Sequence, residues 1–328
     1  MTDDEKHYLD ISRTVSKVDF LFPKKRVGRS IEDIGGLYNL GEFRFSLAYS
    51  LFSNGNLAYE LYKRYNLPYF VIVQNTDVNF HFKKVPLSKS KGNVILENAT
   101  KIVFISEAYK KEVIDSFIEK KELIENKAVV IPFGIDDFWR NNTLLHKKER
   151  ESDILNLLFV GKVNKNKNVS TIIDVVESLN NEGIRTKLNI VGAISHNQTQ
   201  QRILKSPNIN WTPFVNNKHQ LLKIYQANDI FVMPSFKESF GLVYGEAMSQ
   251  GLPVIYTRGQ GFDQQFAEGK VGYSVEPDNV LEIKEKIIGI IQNYSEFSSN
   301  CVEHVNKFYW ENICWKYQDA FKAAEKMK

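Results

Sequence analysis

Two glutamates eight residues apart, Glu238 and Glu246, lie in a segment whose residue types suit the recognition of a sugar. The short apolar run 229–233 precedes them and predicts a buried parallel strand. Residues 242–250 predict a helix, because Gly and Pro follow directly after it. Glu238 would therefore lie in the loop at the carboxyl end of a strand, and Glu246 about one turn into the next helix.

The start of this predicted helix would form a corner that binds anions. The backbone N–H groups of Gly241 and Leu242 have no partners within the helix and can meet a phosphate. The two carboxylates would repel a diphosphate, so we expect them to accept hydrogen bonds from neutral hydroxyls. A nucleotide sugar carries both kinds of group. By spacing alone, however, a simpler interpretation is stronger. In it, Glu246 is an exposed helix residue, and Glu238 is an acid favoured at the start of a helix by the helix dipole.

A lysine-rich turn, Val-Gly-Lys-Val-Asn-Lys-Asn-Lys-Asn at 160–168, follows the predicted strand 155–160. Gly161 permits a tight turn, and Lys162, Lys165 and Lys167 bring cations to the carboxyl edge of the sheet. Ammonium groups placed there would stabilise the negative charge that grows on a departing diphosphate. Taken alone, the turn suits a solvated loop; combined with the two glutamates, it predicts a phosphate clamp.

Alternating strands and helices predict a parallel α/β fold on both sides of a polar segment at 141–153. Before that segment, strands are predicted at 43–49, 69–74, 101–105 and 128–131, and helices at 56–65 and 108–119. After it, strands are predicted at 155–160, 187–191, 208–213, 229–233 and 254–256. We expect a first domain at 1–145, a second domain at 146–307, and a C-terminal helix at 308–328 that can cross back to the first.

Composition excludes several classes of protein. The chain has 328 residues, of which 43% are hydrophobic, so it can bury the cores of two domains. A net charge of +4 without interleaved aromatic and basic residues argues against nucleic acid. The histidines and the two cysteines show no metal-ligand spacing, and so few cysteines favour a reducing compartment. With no signal peptide or apolar span of ~20 residues predicted, we expect a cytoplasmic protein. Peripheral contact with the inner face of the membrane stays open.

Four ordered segments resemble motifs of the group 1, glycogen-synthase-like glycosyltransferases. Gly-Lys-Val-x-x-x-Lys at 161–167 is similar to their G-R-L-x-x-x-K element, and Glu-Ser-Phe-Gly-Leu-x-x-x-Glu at 238–246 to their E-x(7)-E motif. Val-Ile-Pro-Phe-Gly-Ile-Asp at 130–136 and Phe-Tyr-Trp-Glu-Asn-Ile at 308–313 also match family segments. The resemblance covers the chain from about residue 43 to its end.

The resemblance implies a GT-B fold, in which two Rossmann-like domains face each other across a cleft. It implies transfer with retention of anomeric configuration, without a metal or other cofactor. The second domain would bind a nucleotide sugar, and the first a glycan or lipid-linked acceptor. For this chain we expect the synthesis of a cell-surface polysaccharide or glycolipid. No side chain is an obvious nucleophile, which suits a mechanism in which the departing phosphate itself takes the acceptor's proton.

Residue roles carry over position by position. Lys162 matches the motif's arginine and Lys167 its lysine, both on the diphosphate. Glu238 matches the acid that binds the transferred sugar, and Glu246 the acid that binds the ribose. The remaining donor-binding positions implied are Gly161, Phe240, Gly241 and Leu242, together with backbone around Phe214 and Val215 for the base. Lysine in place of arginine at 162 keeps the charge but loses the planar fork that binds phosphate through two bonds.

The first domain departs from the family pattern. Where many members have an H-G-x-D-like run, this chain has Val-Gln-Asn-Thr-Asp at 73–77, without histidine. Asn75 and Asp77 could bind the sugar or the acceptor, or they could form an ordinary turn at a strand end. The first forty residues show no strand followed by a glycine-rich loop, so we expect a shortened first domain. The lysines at 83–92 with 110, 111, 120 and 121 could form a basic face for an anionic acceptor or membrane, or a solvated surface.

Two other functions stay open at this point. The missing histidine and the shortened first domain would suit a non-catalytic relative that binds nucleotide sugars or acts as a scaffold. A glycosidase could use Glu238 and Glu246 as acid and nucleophile, but it would leave the lysine turn without a purpose. A dehydrogenase is disfavoured because no G-x-G-x-x-G follows a predicted strand.

Overall fold

The computed structural model describes residues 23–146, 148–150 and 152–325, and it contains two parallel sheets. The first sheet has the strand order β1-β2-β3-β4, and every pair of neighbours is parallel. Its strands are β1 (Ser46–Ala48), β2 (Tyr69–Val73), β3 (Lys101–Phe104) and β4 (Ala128–Val130). All four strands were predicted, although β1 is shorter than expected. The predicted α/β class is thus confirmed for this half.

Five helices and one π-helical segment accompany the first sheet. They are α1 (Pro23–Leu37), α2 (Asn54–Tyr65), the π-helix Asp77–Phe82, α3 (Ser88–Asn98), α4 (Glu107–Phe117) and α5 (Lys121–Lys127). Only α2 and α4 were predicted. Residues 1–22, where we expected no strand–helix unit, lie outside the described residues, as do residues 147 and 151 of the predicted linker.

The second sheet has the order β10-β9-β8-β5-β6-β7, again with parallel neighbours throughout. Its strands are β5 (Leu155–Val160), β6 (Thr186–Val191), β7 (Ile209–Thr212), β8 (Ile230–Val232), β9 (Val254–Thr257) and β10 (Gly272–Val275). The chain moves outward from β5 to β7, and then returns to the other side of β5 with β8. The loops after β5 and β8 therefore diverge at the reversal of strand order, where open α/β sheets bind their ligands.

The helices of the second half cover both faces of this sheet. They are α6 (Asp137–Asn141), α7 (Val169–Asn181), α8 (Asn197–Lys205), α9 (Lys218–Gln226), α10 (Leu242–Ser249), α11 (Val280–Gln292), α12 (Tyr294–His304) and α13 (Trp310–Glu325). Because helices cover both faces, the central strand β5 is buried on both sides, with Leu157, Leu158 and Phe159 inaccessible to solvent. This double burial explains its continuous apolar sequence.

The last helix returns to the first half of the molecule. Ile313 and Ala320 of α13 pack in the core around the first sheet, whereas Phe308, just before the helix, belongs to the core around the second. The chain thus passes between the two halves twice, once near Ile135 and once after Phe308. At these points the backbone N–H of Ile135 donates to the carbonyl of Phe308 at 2.8 Å. The two sheets are therefore held together by two chain crossings rather than by a single linker.

Candidate active site

The lysine turn and the glutamate loop follow the neighbouring strands β5 and β8, and they are joined directly. The N–H of Phe236 donates to the carbonyl of Asn166 at 2.8 Å, and the Asn166 side chain donates to the carbonyl of Lys237 at 2.8 Å. The ammonium group of Lys167 binds the carboxylate of Glu238. The structure thus brings together one predicted residue from each motif.

The ion pair between Lys167 and Glu238 is largely shielded from water, with the two side chains 22% and 11% exposed. The Lys167 ammonium also lies 3.7 Å from the sulfur of Met233, the residue that follows β8. A cation held against the carboxylate offsets the repulsion that a bare carboxylate would exert on a nearby diphosphate. The arrangement therefore lets an acidic side chain for hydroxyls and a site for phosphate lie side by side.

Glycines allow the backbone to approach closely at two places here. Gly241 has φ of 78°, and a Cβ atom there would lie 2.5 Å from the Tyr244 ring and 3.3 Å from Cγ of Glu238. Only glycine fits this position without strain, and it places the amino-terminal end of α10 beside the Glu238 side chain. At Gly192, at the end of the neighbouring strand β6, a Cβ would lie 2.1 Å from the carbonyl oxygen of Gly161. The turn after β5 therefore lies directly against the end of β6.

Glu246 lies one turn into α10, in a less polar environment than Glu238. Its carboxylate accepts a hydrogen bond of 2.9 Å from the hydroxyl of Tyr225, which is fully buried. Burial raises the pKa of Glu246, and Asp136 adds to this effect, while the Tyr225 hydrogen bond and the Lys218 ammonium oppose it. A carboxyl held this way is costly to ionise, as expected of a group reserved for a ligand rather than for an ion pair.

The other predicted donor residues differ in how far they are exposed. Lys162 has an exposed side chain at the start of the lysine turn. Leu242 is 44% exposed at the start of α10, and Phe214 is 72% exposed in the loop after β7, next to the half-buried Val215. Phe240 is buried, and its ring packs against Phe133, Phe262 and Phe308. Its side chain thus anchors the loop, and only its backbone remains for the predicted contact with the donor.

In the first half of the molecule, Asn75 and Asp77 have different surroundings. The side-chain amide of Asn75 donates to the backbone carbonyl of Glu238 at 3.1 Å, so it reaches the predicted donor site. Asp77 is 2% exposed, and its carboxylate accepts the backbone N–H groups of Leu51, Phe52 and Gln74. These contacts favour the structural alternative for Asp77 over a contact with sugar or acceptor, because its oxygens hold the segments after β1 and β2 together.

Sequence reasoning missed three residues that hold the glutamate loop. The hydroxyl of Tyr109, in the first turn of α4, donates to the carbonyl of Glu238 at 2.6 Å. The side-chain oxygen of Gln260 accepts the N–H of Glu238 at 3.1 Å, and the N–H of Gly261 reaches the Glu238 carbonyl at 3.3 Å. The only available signal was that each of these residues follows the carboxyl end of a predicted strand.

Several lysines of the predicted basic face are engaged by acids. Lys83 pairs with Glu112, Lys120 with Glu97, and Lys110 with two glutamates. Part of the positive charge is therefore neutralised within the first domain. Across the parts of the chain described above, no helix has the length and apolarity needed to cross a bilayer. Among those same residues, no cluster of three or more His, Cys, Asp or Glu side chains could hold a metal ion.

The family model "Glycosyl transferases group 1" matches residues 141–308, more than half of the chain. The chain belongs to this family. The matched range contains both motifs of the site, from the lysine turn to the glutamates. The resemblance inferred from the sequence is confirmed.

Relatives and solved structures agree with this assignment. The chain is 28% identical to the capsular polysaccharide biosynthesis glycosyltransferase CapM of Staphylococcus aureus over 248 residues, 69% of this chain and 63% of CapM. It thus spans less than two thirds of that relative. The lipopolysaccharide outer core galactosyltransferase WaaB has a similar structure, with a TM-score of 0.73 at 15% identity, covering 94% of this chain and 82% of WaaB. Anabaena HepE in complex with UDP gives 0.67 at 16% identity, covering 90% and 82%. These likenesses confirm the GT-B fold.

Proposed function

We propose that this chain is a retaining glycosyltransferase that moves a sugar from a nucleotide-sugar donor to a glycan or lipid-linked acceptor. The observation that carries the proposal is the convergence of Lys167, Glu238 and the amino-terminal end of α10 at the reversal of strand order. Cations and free N–H groups suit a diphosphate, and the adjoining carboxylate suits sugar hydroxyls. Few other ligands combine these groups at that spacing.

The proposed donor lies along the carboxyl edge of the second sheet. Lys162 and Lys167 bind the diphosphate, Glu238 binds hydroxyls of the transferred sugar, and Glu246 binds the ribose. The exposed loop at Phe214 and Val215 is left for the base. Cations close to the leaving group favour the transition state over the bound donor, because the negative charge on the diphosphate grows as its bond to the sugar breaks.

The proposed reaction needs no side-chain nucleophile. Glu238 is paired with Lys167, and Glu246 accepts a hydrogen bond from Tyr225; we assign both acids to the hydroxyls of the donor and neither to attack on the sugar. In the proposed reaction the acceptor hydroxyl attacks the face of the sugar from which the phosphate departs, and the phosphate oxygen takes its proton. This route retains the anomeric configuration. It uses neither a metal nor another cofactor.

The relatives favour a role in cell-surface polysaccharide synthesis. CapM is named for capsular polysaccharide biosynthesis, and WaaB for the lipopolysaccharide outer core. A solved HepE structure holds UDP, and another holds UDP-glucose. We therefore propose UDP as the first nucleotide to test, and a cytoplasmic reaction with a glycan or a lipid-linked acceptor.

The test is a thermal-shift screen with UDP-, GDP- and ADP-sugars, followed by a transfer assay with the donor that binds. Selective binding raises the melting temperature. We expect one class of nucleotide to do so, a product with the anomeric configuration of the donor by NMR, and equal rates with and without EDTA. Stabilisation without turnover of any donor would instead support a non-catalytic binding or scaffolding relative.

A further inference from the structure

The peptide group of Glu238 is held by side chains from the opposite half of the molecule. Tyr109 and Asn75, both from the half that contains the first sheet, lie 2.6 and 3.1 Å from the carbonyl oxygen of Glu238. Asn75 also lies 2.6 Å from the Tyr109 oxygen. These contacts span 129 and 163 positions of the sequence and cross the cleft.

The direction of each hydrogen bond follows from the donors available. A phenol has one hydrogen, and the Tyr109 hydrogen goes to the Glu238 carbonyl, which can only accept. The amide of Asn75 must then donate to the Tyr109 oxygen. The oxygen of Gln260, 3.4 Å from the Tyr109 hydroxyl, accepts instead from the N–H of Glu238 at 3.1 Å. The amide of Asn79 also donates to the Tyr109 and Gln260 oxygens, at 3.4 and 3.5 Å, so each proton of the network has an acceptor.

The hydrogen bonds around the Glu238 peptide are shielded from water, so water does not replace a missing donor there. Tyr109 has no solvent-exposed surface, and burial raises the pKa of its hydroxyl, so it stays a hydrogen-bond donor. Opening of the cleft would take away the donors from the first half together and leave the Glu238 carbonyl with the Gly261 N–H. The carboxylate of Glu238 belongs to the same residue, so its direction depends on how its peptide group is held.

We propose that Tyr109 is a positioning residue that couples closure of the two domains to the alignment of Glu238. This inference rests on the proposed function, because Glu238 is there the acid that binds the transferred sugar. In the closed arrangement, Tyr109 and Asn75 fix the Glu238 peptide from one side and Gln260 fixes it from the other, while Lys167 holds the Glu238 carboxylate. When the cleft opens, the donor keeps its diphosphate contacts while Glu238 loses its alignment, so the donor binds but does not react.

Tyr109→Phe is the decisive variant, and the chain offers a matched control. Tyr69 is also fully buried in the first half, and its hydroxyl also donates to a backbone carbonyl, that of Ile95. That bond lies within the first half and does not cross the cleft. Tyr69→Phe thus removes an equivalent hydrogen bond without touching the site, and both variants should lose similar thermal stability.

Two measurements distinguish the variants. In Tyr109→Phe, kcat for transfer should fall on the order of 10- to 100-fold, while UDP affinity by calorimetry stays at the wild-type value. Small-angle X-ray scattering of the UDP-bound protein should show a larger radius of gyration for Tyr109→Phe than for the wild type. In Tyr69→Phe, both kcat and the radius of gyration should remain those of the wild type.

Equal kcat in Tyr109→Phe and Tyr69→Phe would overturn the proposal, as would an unchanged radius of gyration in Tyr109→Phe. A parallel loss of UDP affinity and kcat would show that Tyr109 merely supports the fold. If the wild type turns over no donor, the proposed function fails, and the scattering comparison still decides whether Tyr109 holds the cleft closed.

Discussion

The carboxyl edges of the two sheets face the same cleft but carry different chemistry. The second sheet presents charged groups, Lys167 and the two glutamates, and the pair between Lys167 and Glu238 forms within that half. The first sheet presents neutral hydrogen-bonding groups, Asn75 and Tyr109, which reach across to the backbone. Charge suits the binding of a diphosphate, and neutral bonds suit alignment. The difference suggests that one half binds the donor and the other sets its geometry.

Two carboxylates illustrate the same contrast. Asp77 and Glu238 both follow buried strands, Asp77 as the first residue of the π-helix and Glu238 in a loop, and both are mostly buried. Asp77 accepts three backbone N–H groups and is saturated by its own half of the molecule. Glu238 accepts only the N–H of the adjacent Ser239 from the backbone, and its charge is balanced by the Lys167 side chain, which can turn toward a phosphate. A carboxylate satisfied by backbone is part of the structure, whereas one satisfied by a movable cation is available to a ligand.

The largest effect is expected from Glu238→Ala. Loss of the charged acceptor for sugar hydroxyls should reduce the transfer rate on the order of 100-fold or more, with the melting temperature little changed. Glu177→Ala is the control, because Glu177 also pairs with a cation, Arg202, but on an exposed helix surface. Transfer at the wild-type rate in Glu238→Ala would contradict the role of the charged groups of the second sheet in binding the donor.

Lys167→Ala should weaken UDP binding by roughly tenfold or more, because the diphosphate loses a charged donor and the Glu238 carboxylate loses its counter-charge. Lys165→Ala in the same turn is the matched control: it removes an exposed ammonium group that is not among the two lysines proposed to bind the diphosphate, so UDP affinity should change much less. Calorimetry with UDP measures both. Similar affinities for the two variants would show that the ion pair is internal to the fold and not a phosphate clamp.

Much of the second half could be predicted from sequence, because its strands and motifs are local signals. The continuous apolar strands, with Gly161 and Gly241 after them, were enough to predict that both loops lie at the carboxyl edge of the second sheet. In the first half, α3 begins with a polar, lysine-rich segment, and its helical state depends on the burial of Ile95 and Leu96. Such packing is not visible in local sequence.

The roles of Asp77 and Tyr109 were unpredictable for a related reason. A polar residue after a strand has the same sequence signal whether its partners are substrate or backbone, and only the fold supplies the three N–H groups around Asp77. Tyr109 finds its partner 129 positions away. Contacts that are distant in sequence, within one half for Asp77 and between the halves for Tyr109, thus decide which candidate residues belong to the site.

Glu246→Gln tests the second acid through its pH dependence. Because burial raises the pKa of Glu246, the stability associated with this group is full below the unfolded pKa and is lost as pH rises through the folded one. Glutamine can still accept the Tyr225 bond, so the variant should melt at or above the wild-type temperature near pH 7. This difference should shrink as pH falls through the raised pKa and vanish below the unfolded pKa.

The same substitution should lower UDP affinity, although it should leave the melting temperature unchanged or raise it. An ionised Glu246 binds the ribose hydroxyls more strongly, so the wild type should lose affinity as pH falls, whereas Glu246→Gln should be weaker on the order of tenfold at pH 7 and independent of pH. Calorimetry from about pH 5 to 8 follows this. A variant that binds UDP like the wild type at every pH would exclude Glu246 from the donor site.

The smallest effect is expected at Asn168, the residue that ends the lysine turn. Asn168 has φ of 53°, and its side-chain amide donates to the carbonyls of Pro234 and Pro277. It thus ties the lysine turn to the interior of its own half. Asn168→Gly keeps the backbone conformation but loses these bonds, so the free energy of unfolding should fall by about 1–3 kcal/mol. Asn168→Ala should lose about 1 kcal/mol more, because alanine resists this left-handed conformation.

Chemical denaturation of the two Asn168 variants, with UDP affinity measured alongside, separates stability from binding. Because both variants keep Lys167, UDP affinity should fall less than in Lys167→Ala. If Asn168→Gly is as stable as the wild type, the turn is not held by these side-chain bonds. If its UDP affinity falls as far as that of Lys167→Ala, the clamp depends on the rigidity of the turn as much as on its charge, and the donor half then needs alignment from its own interior as well as from Tyr109 across the cleft.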